Sequence, residues 1–240
     1  NTPVHVLETS YQGLAAVIPI TIYSQNQTEA QNAMNLIPGL FAELERDFGP
    51  YTHASFTAYI TGNGGMEHAG ATITSVMALG HELTHSWFAR GVMPAEGRSG
   101  WIDEAIASWR DYGYQRAPSL WQRPATNLGR YSAFWRFAPR NSYVDGRAFM
   151  GELDLYFANQ GGMKPVLRKF FDKWKRQQVT NADFIALVDS EANNQLAAPF
   201  RRYIFADQSM PGPATKDYFV DERPSLHPRP ITKEDLPFLR

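Results

Sequence analysis

The sequence has no cysteine among its 240 residues. Disulfide bonds, thiolate metal sites and cysteine nucleophiles are therefore excluded, and a bound metal ion would need histidine, aspartate or glutamate ligands. The absence of cysteine does not identify the compartment, which stays undetermined. We favour an exported or periplasmic location over a cytoplasmic one.

Long apolar runs are also missing. The longest, such as residues 15–20 and 105–107, fall far short of the roughly 20 residues that a membrane helix needs, so we expect a soluble protein with no membrane span. The chain begins at Asn1 and lacks an apolar signal core near that end. This start suggests a processed protein or a piece of a longer one.

Neither sign of charge is in excess. Lysine and arginine total 23 against 24 for aspartate and glutamate, a net charge of -1. This balance argues against a nucleic-acid partner bound through a global positive field. With 43% hydrophobic and 20% charged residues, the composition is typical of a globular protein with a core and not of a disordered chain.

Hydrophobic periodicity predicts an α+β fold that is mostly helical, with a small N-terminal β-sheet followed by a helical bundle. Strands are predicted at residues 17–23, where Pro19 favours a sheet edge, and at residues 56–60. Thr28 is the predicted cap of the first helix. Helices are predicted over residues 29–48, 76–90 and 101–116.

The chain divides into three predicted segments. Residues 1–120 hold the sheet and the first helices. Residues 121–209 repeat apolar side chains at helical spacing and form a helical part of the same domain. Residues 210–240 are rich in proline, which predicts an extended tail.

One short motif carries most of the chemical information. His81-Glu82-Leu83-Thr84-His85 places two imidazoles one helical turn apart, on the face where a tetrahedral zinc ion can bind both. Glu104 follows 19 positions after His85, on the next predicted helix, and the intervening glycines and Pro94 allow the chain to turn back. Two histidines and one glutamate leave a fourth zinc position for water, which is the catalytic pattern.

These residues resemble the gluzincin aminopeptidases of the aminopeptidase N family, whose signatures are GxMEN and HExxH followed by WLNEG. The corresponding segments here are Gly64-Gly65-Met66-Glu67-His68, the histidine motif above and Trp101-Ile102-Asp103-Glu104-Ala105. The resemblance covers roughly residues 49–146. It extends to Tyr143-Val144-Asp145-Gly146, which is similar to a Tyr-Glu-Lys-Gly segment that carries a catalytic tyrosine.

The resemblance implies a thermolysin-like catalytic domain that hydrolyses N-terminal peptide bonds of peptides with a free N-terminus. The reaction would use a zinc-bound water, with Glu82 as the general base. One Zn²⁺ per chain would be held by His81, His85 and Glu104. Glu67 would bind the substrate α-ammonium, the backbone at Gly64 and Gly65 would hold the extended peptide, and Tyr143 would donate to the oxyanion.

Several features leave alternatives open. His68 stands where the family usually has asparagine, and Ala105 replaces a glycine. The family normally carries a large β-domain before the catalytic domain, so a missing N-terminal β-domain of the same protein is a candidate partner. Tyr131 and Tyr156 are rivals for the role of Tyr143. The alternative functions are a thermolysin-like endopeptidase and a catalytically weak, zinc-containing peptide-binding fragment of a larger peptidase.

Overall fold

The N-terminal part of the molecule is a five-stranded sheet. The structure is a computed structural model that describes residues 3–130, 138 and 140–207. The strand order is β1-β2-β3-β5-β4. Strands β2, β3 and β5 run parallel, and the two edge strands β1 and β4 are antiparallel to their neighbours. The strands are β1 (His5–Gln12), β2 (Val17–Ser24), β3 (Phe56–Ile60), β4 (Gly65–His68) and β5 (Ala71–Thr74).

Helices make up most of the remainder. The first three are α1 (Gln27–Phe48), α2 (Leu79–Phe88) and α3 (Trp101–Asp111), and the later four are α4 (Arg147–Tyr156), α5 (Met163–Trp174), α6 (Asn181–Glu191) and α7 (Ala197–Ile204). Two short strands, β6 (Val92–Pro94) and β7 (Gln177–Val179), pair in parallel. The predicted fold class, a small N-terminal sheet followed by helices, is confirmed.

Two parts of the sequence-based interpretation fall outside the described residues. They are the proline-rich tail at residues 210–240 and Tyr131. The division into three segments stays a prediction. Within the described part of the chain, no helix combines the length and the apolar character needed to cross a lipid bilayer.

The core lies between one face of the sheet and the helices. Alternate residues of β2, namely Ile18, Ile20 and Ile22, are buried, as the period of two in a strand requires. Helix α1 covers this face, and its Phe41 packs edge-on against Phe56 of β3. Because α2 packs against α1, β4 and β5, the sheet fixes the position of the helix that carries both motif histidines.

The expectation that Pro19 marks a sheet edge is wrong. Strand β1, which the alternation did not reveal, pairs along the whole of β2 and takes the edge position. Pro19 lies opposite Ser10, and pairing with β3 begins only at Ile20. The proline is tolerated because the β3 side of β2 is still unpaired at that residue.

The predicted cap of α1 is also wrong. The helix begins at Gln27, and Asn26 is its N-cap. The Asn26 carboxamide oxygen accepts hydrogen bonds from the backbone N–H groups of Thr28 and Glu29, at 2.9 and 3.2 Å. Asparagine is among the strongest N-cap residues, so it takes the role that the threonine two positions later was expected to have.

Replacement of Asn26 by alanine tests this capping. We expect Asn26→Ala to lower the free energy of unfolding by about 1 kcal/mol, because two N–H groups lose their acceptor. Thr28→Ala, at an exposed position of the same helix turn, should change it by less than about 0.5 kcal/mol. Urea unfolding followed by circular dichroism measures both, and a larger loss for the Thr28 variant would contradict the assignment.

Candidate active site

Two packed helices bring the predicted metal ligands together. Helix α2 places His81 and His85 one turn apart, and Glu104 lies in the first turn of α3. The Glu104 Oε2 atom is 3.2 Å from His81 Nε2 and 3.5 Å from His85 Nε2. One ligand atom from each residue lies within 4.8 Å of the other two. The structure therefore brings these three predicted site residues to one point.

The spacing of these three atoms suits a zinc ion. Ligands about 2.0–2.1 Å from a tetrahedral zinc lie roughly 3.3 Å apart, close to the two distances measured here. Two imidazoles and a carboxylate are a donor set that zinc accepts, and three ligands leave one position open. His81, His85 and Glu104 could therefore hold Zn²⁺ with little movement of their side chains.

The electrostatics of the group favour a positive charge. Burial opposes protonation of His81, but hydrogen bonds to Asp111 and Glu104 outweigh it and raise the pKa of His81 to about 10. Burial likewise disfavours the charged form of His85, yet Glu104 raises its pKa. Burial disfavours the Glu104 carboxylate as well, but the two histidines and Tyr143 lower its pKa. The neighbouring carboxylates thus favour positive charge at the two imidazoles.

Sequence reasoning missed Asp111, the carboxylate that orients the first histidine. Asp111 Oδ2 lies 2.6 Å from His81 Nδ1, so it fixes the ring with Nε2 towards Glu104. Asp111 follows Glu104 by seven positions, which is two helical turns, so both carboxylates lie on one face of α3. That spacing was the signal that could have identified it.

Glu82 lies beside the candidate metal ligands and is almost completely buried. Its Oε2 atom has no hydrogen-bond partner in the described part of the chain. Burial raises the pKa of Glu82 to about 7, against the opposing effect of the two histidines. A Cβ on Gly65 would clash with the Glu82 side chain, so a larger residue there would force Glu82 to move.

Glu67 lies on β4, the edge strand that borders the same cluster. One ligand atom each from Glu67, Glu82 and His85 fall within 4.8 Å of one another. Arg90, a residue that sequence reasoning did not single out, donates from Nη2 to Glu67 Oε1 at 3.0 Å. The adjacent backbone is held in place as well, because Ser75 N–H donates to the Gly64 carbonyl oxygen at 2.9 Å.

Tyr143 also reaches the cluster. Its hydroxyl donates to Glu104 Oε1 at 2.7 Å, and its ring stacks on His81. Burial and the nearby Glu104 raise the pKa of Tyr143, so the phenol keeps its proton. Among its rivals, Tyr156 donates instead to Gln195.

A π-helical turn (Ser142–Gly146) presents Tyr143 to the site. Gly146 allows this turn to pack closely on α3, since a Cβ there would lie 2.7 Å from Ala105 Cβ. An ion pair between Arg123 and Asp145, at 2.5 Å, holds the turn from its other side. Single π-helical turns are frequent at functional sites, and this one places a phenol beside the candidate metal ligands.

These residues border an open cleft of about 580 Å³. Its volume is within the range of small-molecule binding sites. Two methionines, Met66 and Met77, contribute exposed apolar side chains to the walls. The predicted site residues that line the cleft are Gly64, Gly65, Glu67, His81, Glu82, His85, Glu104 and Tyr143.

Comparison with known proteins gives similarity in structure only. No protein-family model and no curated protein matches the chain. A mutant of a two-domain M1 zinc metallopeptidase bound to L-arginine matches with a TM-score of 0.69 and 15% identity, over 88% of this chain and 54% of that one. This chain has a fold found in M1 zinc metallopeptidases.

Two further structures agree. A mutant M1 zinc metallopeptidase of Deinococcus radiodurans bound to a Tyr-Ser-Ala substrate matches with a TM-score of 0.64 and 16% identity, over 89% of this chain and 54% of that one. Aminopeptidase A of Legionella pneumophila in complex with aspartic acid gives 0.63 and 14%, over 83% of this chain and 28% of that one. The chain thus spans about half or less of the length of these structures.

Asp111→Asn tests whether the hydrogen bond to His81 supports metal binding. The variant keeps the size of the side chain but loses its charge, so we expect zinc affinity to fall about 10- to 100-fold. Competition with a chromophoric chelator measures the affinity. Asp172→Asn, at an exposed carboxylate on α5, is the matched control. Equal zinc affinities for the two variants would contradict the role of Asp111.

Proposed function

We propose that this chain is a zinc-dependent metallopeptidase of the M1, or aminopeptidase N, type, which removes N-terminal residues from peptides. The observation that carries the proposal is the convergence of His81, His85 and Glu104 at a cleft that Glu67 also borders. The fold supports it, because matched structures with this fold have amino acids or a peptide bound.

His81, His85 and Glu104 would hold the zinc ion. Zinc bound there would polarise the scissile carbonyl and lower the pKa of a bound water molecule to about 7. Glu82 would accept a proton from the attacking water and return it to the leaving amine. Burial raises the pKa of Glu82, which helps the carboxyl group to hold the proton between the two steps.

Glu67 and the edge strand β4 would position the substrate. An extended peptide can add to an edge strand through main-chain hydrogen bonds, and Gly64 and Gly65, at the start of β4, line the cleft. The Glu67 carboxylate would bind the α-ammonium of the first residue. This contact would restrict cleavage to the N-terminal peptide bond.

Tyr143 would stabilise the oxyanion that forms on the substrate carbonyl. Its hydroxyl keeps its proton and points at Glu104, next to the candidate zinc position. A donor at a developing oxyanion can contribute about 3 kcal/mol to the lowering of the barrier.

A further β-domain of the same protein is the partner that the resemblance implies, and it would supply additional substrate contacts.

Acetylation of the substrate's N-terminus distinguishes the candidate functions. We expect the zinc-loaded chain to hydrolyse aminoacyl p-nitroanilides and short peptides with a free α-amine, but not their N-acetylated counterparts. Acetylation removes the positive charge of the α-ammonium group that Glu67 would bind. Chromogenic assay and mass spectrometry of the products measure both reactions. Preference for blocked peptides would support the endopeptidase, and zinc binding without either activity would support the peptide-binding fragment.

Glu82→Gln is the control for this assay. The variant retains the size of the side chain and leaves the three proposed ligands in place, so bound zinc should be unchanged. Turnover should fall by about 10²-fold or more, since the amide cannot accept the proton. Retained activity would exclude Glu82 as the general base.

Tyr143→Phe tests the assignment of the oxyanion donor. Removal of the hydroxyl should lower kcat by about 10²-fold with little change in KM, because the hydrogen bond is formed in the transition state. Tyr156→Phe, which removes a phenol bonded to Gln195 outside the cleft, is the matched control. A loss of kcat confined to the Tyr156 variant would reverse the assignment.

A further inference from the structure

Arg90 contacts Glu67 twice and is itself fixed to the helix of the motif histidines. Its Nη2 atom donates to Glu67 Oε1 at 3.0 Å and to the Glu67 carbonyl oxygen at 3.1 Å. The backbone N–H of Arg90 donates to the carbonyl oxygen of His85 at 2.7 Å. Arg90 therefore links β4 to the end of α2. Its backbone position is fixed by the hydrogen bond to His85, a candidate metal ligand.

The surroundings of Glu67 explain why its carboxylate needs this contact. Glu67 and Glu82 each place an oxygen within 4.8 Å of the other and of His85. Two carboxylates at that separation repel each other, and both side chains are largely shielded from water. Among the described residues, Arg90 is the one lysine or arginine that forms an ion pair with Glu67.

The ion pair engages only one of the two carboxylate oxygens. Oε1 accepts the hydrogen bond from Arg90, whereas no described residue donates to Oε2. A carboxylate can accept several hydrogen bonds, so binding through Oε1 leaves Oε2 able to accept from an ammonium group. Glu67 borders the cleft, where such a group would arrive.

We propose that Arg90 is a positioning residue for substrate recognition, which holds Glu67 by Oε1 so that Oε2 is presented to the α-ammonium of the substrate. The inference rests on the proposed aminopeptidase function. It assigns to Arg90 a role in binding the amine and none in the chemical step. Loss of the guanidinium group should therefore weaken recognition of free amines specifically.

Arg90→Met is the direct test, with Arg116→Met as the matched control. Arg116 forms an ion pair with Asp154 at 2.8 Å and does not line the cleft. For Arg90→Met, we expect KM for a free-amine aminoacyl p-nitroanilide to rise about tenfold, the order expected for loss of a charge-assisted hydrogen bond. The value of kcat should change by less than about twofold, and Arg116→Met should behave as the unmodified chain.

A binding measurement separates the amine from the metal. Isothermal titration of the zinc-loaded proteins with leucine hydroxamate, which has a free α-amine, should show about tenfold weaker binding to Arg90→Met. Acetohydroxamate lacks the amine, so its dissociation constant should not change. Arg90→Lys keeps the positive charge and should recover at least part of the affinity for leucine hydroxamate.

The outcomes are distinct. Unchanged binding of leucine hydroxamate to Arg90→Met would overturn the proposal. Equal weakening of both hydroxamates would also overturn it, since Arg90 would then support the fold or the metal site. If Arg90→Met does not fold, Arg90→Gln, which also removes the charge, is compared with the unmodified chain by the same two titrations, and equal affinities overturn the proposal. Failure of the aminopeptidase function itself appears earlier, as an unmodified chain that neither hydrolyses the anilide nor binds leucine hydroxamate.

Discussion

The Glu104 carboxylate between two imidazoles is the interaction on which the rest of the site depends. Its Oε2 atom lies within 3.5 Å of Nε2 of both His81 and His85, and its Oε1 atom accepts the hydroxyl of Tyr143. A carboxylate in partly buried surroundings is costly unless several donors or cations satisfy it. Packing of α2 and of the π-helical turn on α3 supplies those partners, so the fold and the proposed metal chemistry have the same physical basis.

Further charged residues surround this group and hold the neighbouring side chains in place. Asp111 orients His81 from outside, and Arg90 holds Glu67 at the rim of the cleft. Glu82 lies beside the cluster, and one of its oxygens is buried without a hydrogen-bond partner among the described residues. Burial of an unpaired oxygen costs stability, and a role as proton acceptor explains why Glu82 is placed there. The acidic groups that line the cleft favour cations there, in keeping with the proposed metal ion and substrate ammonium group.

Local patterns predicted the parts of the fold that depend on short spacing. The strand at Phe56–Ile60 alternates strictly, and the histidine pair needs only the helical period, so both could be read from the sequence. Strand β1 was not evident, because only Leu7 and Tyr11 of this strand pack against the core and its apolar residues do not alternate along the sequence. Arg90 gave no signal either, because its partner Glu67 is 23 positions away and lies on a strand, so tertiary packing alone determines that contact.

Anomalous X-ray diffraction from crystals grown with zinc tests the central claim most directly. With data collected on both sides of the zinc absorption edge, the account predicts one strong anomalous peak per chain, between Nε2 of His81, Nε2 of His85 and the carboxylate of Glu104. A peak at another group of residues, or no peak and a Glu104 side chain turned away from the histidines, would contradict it.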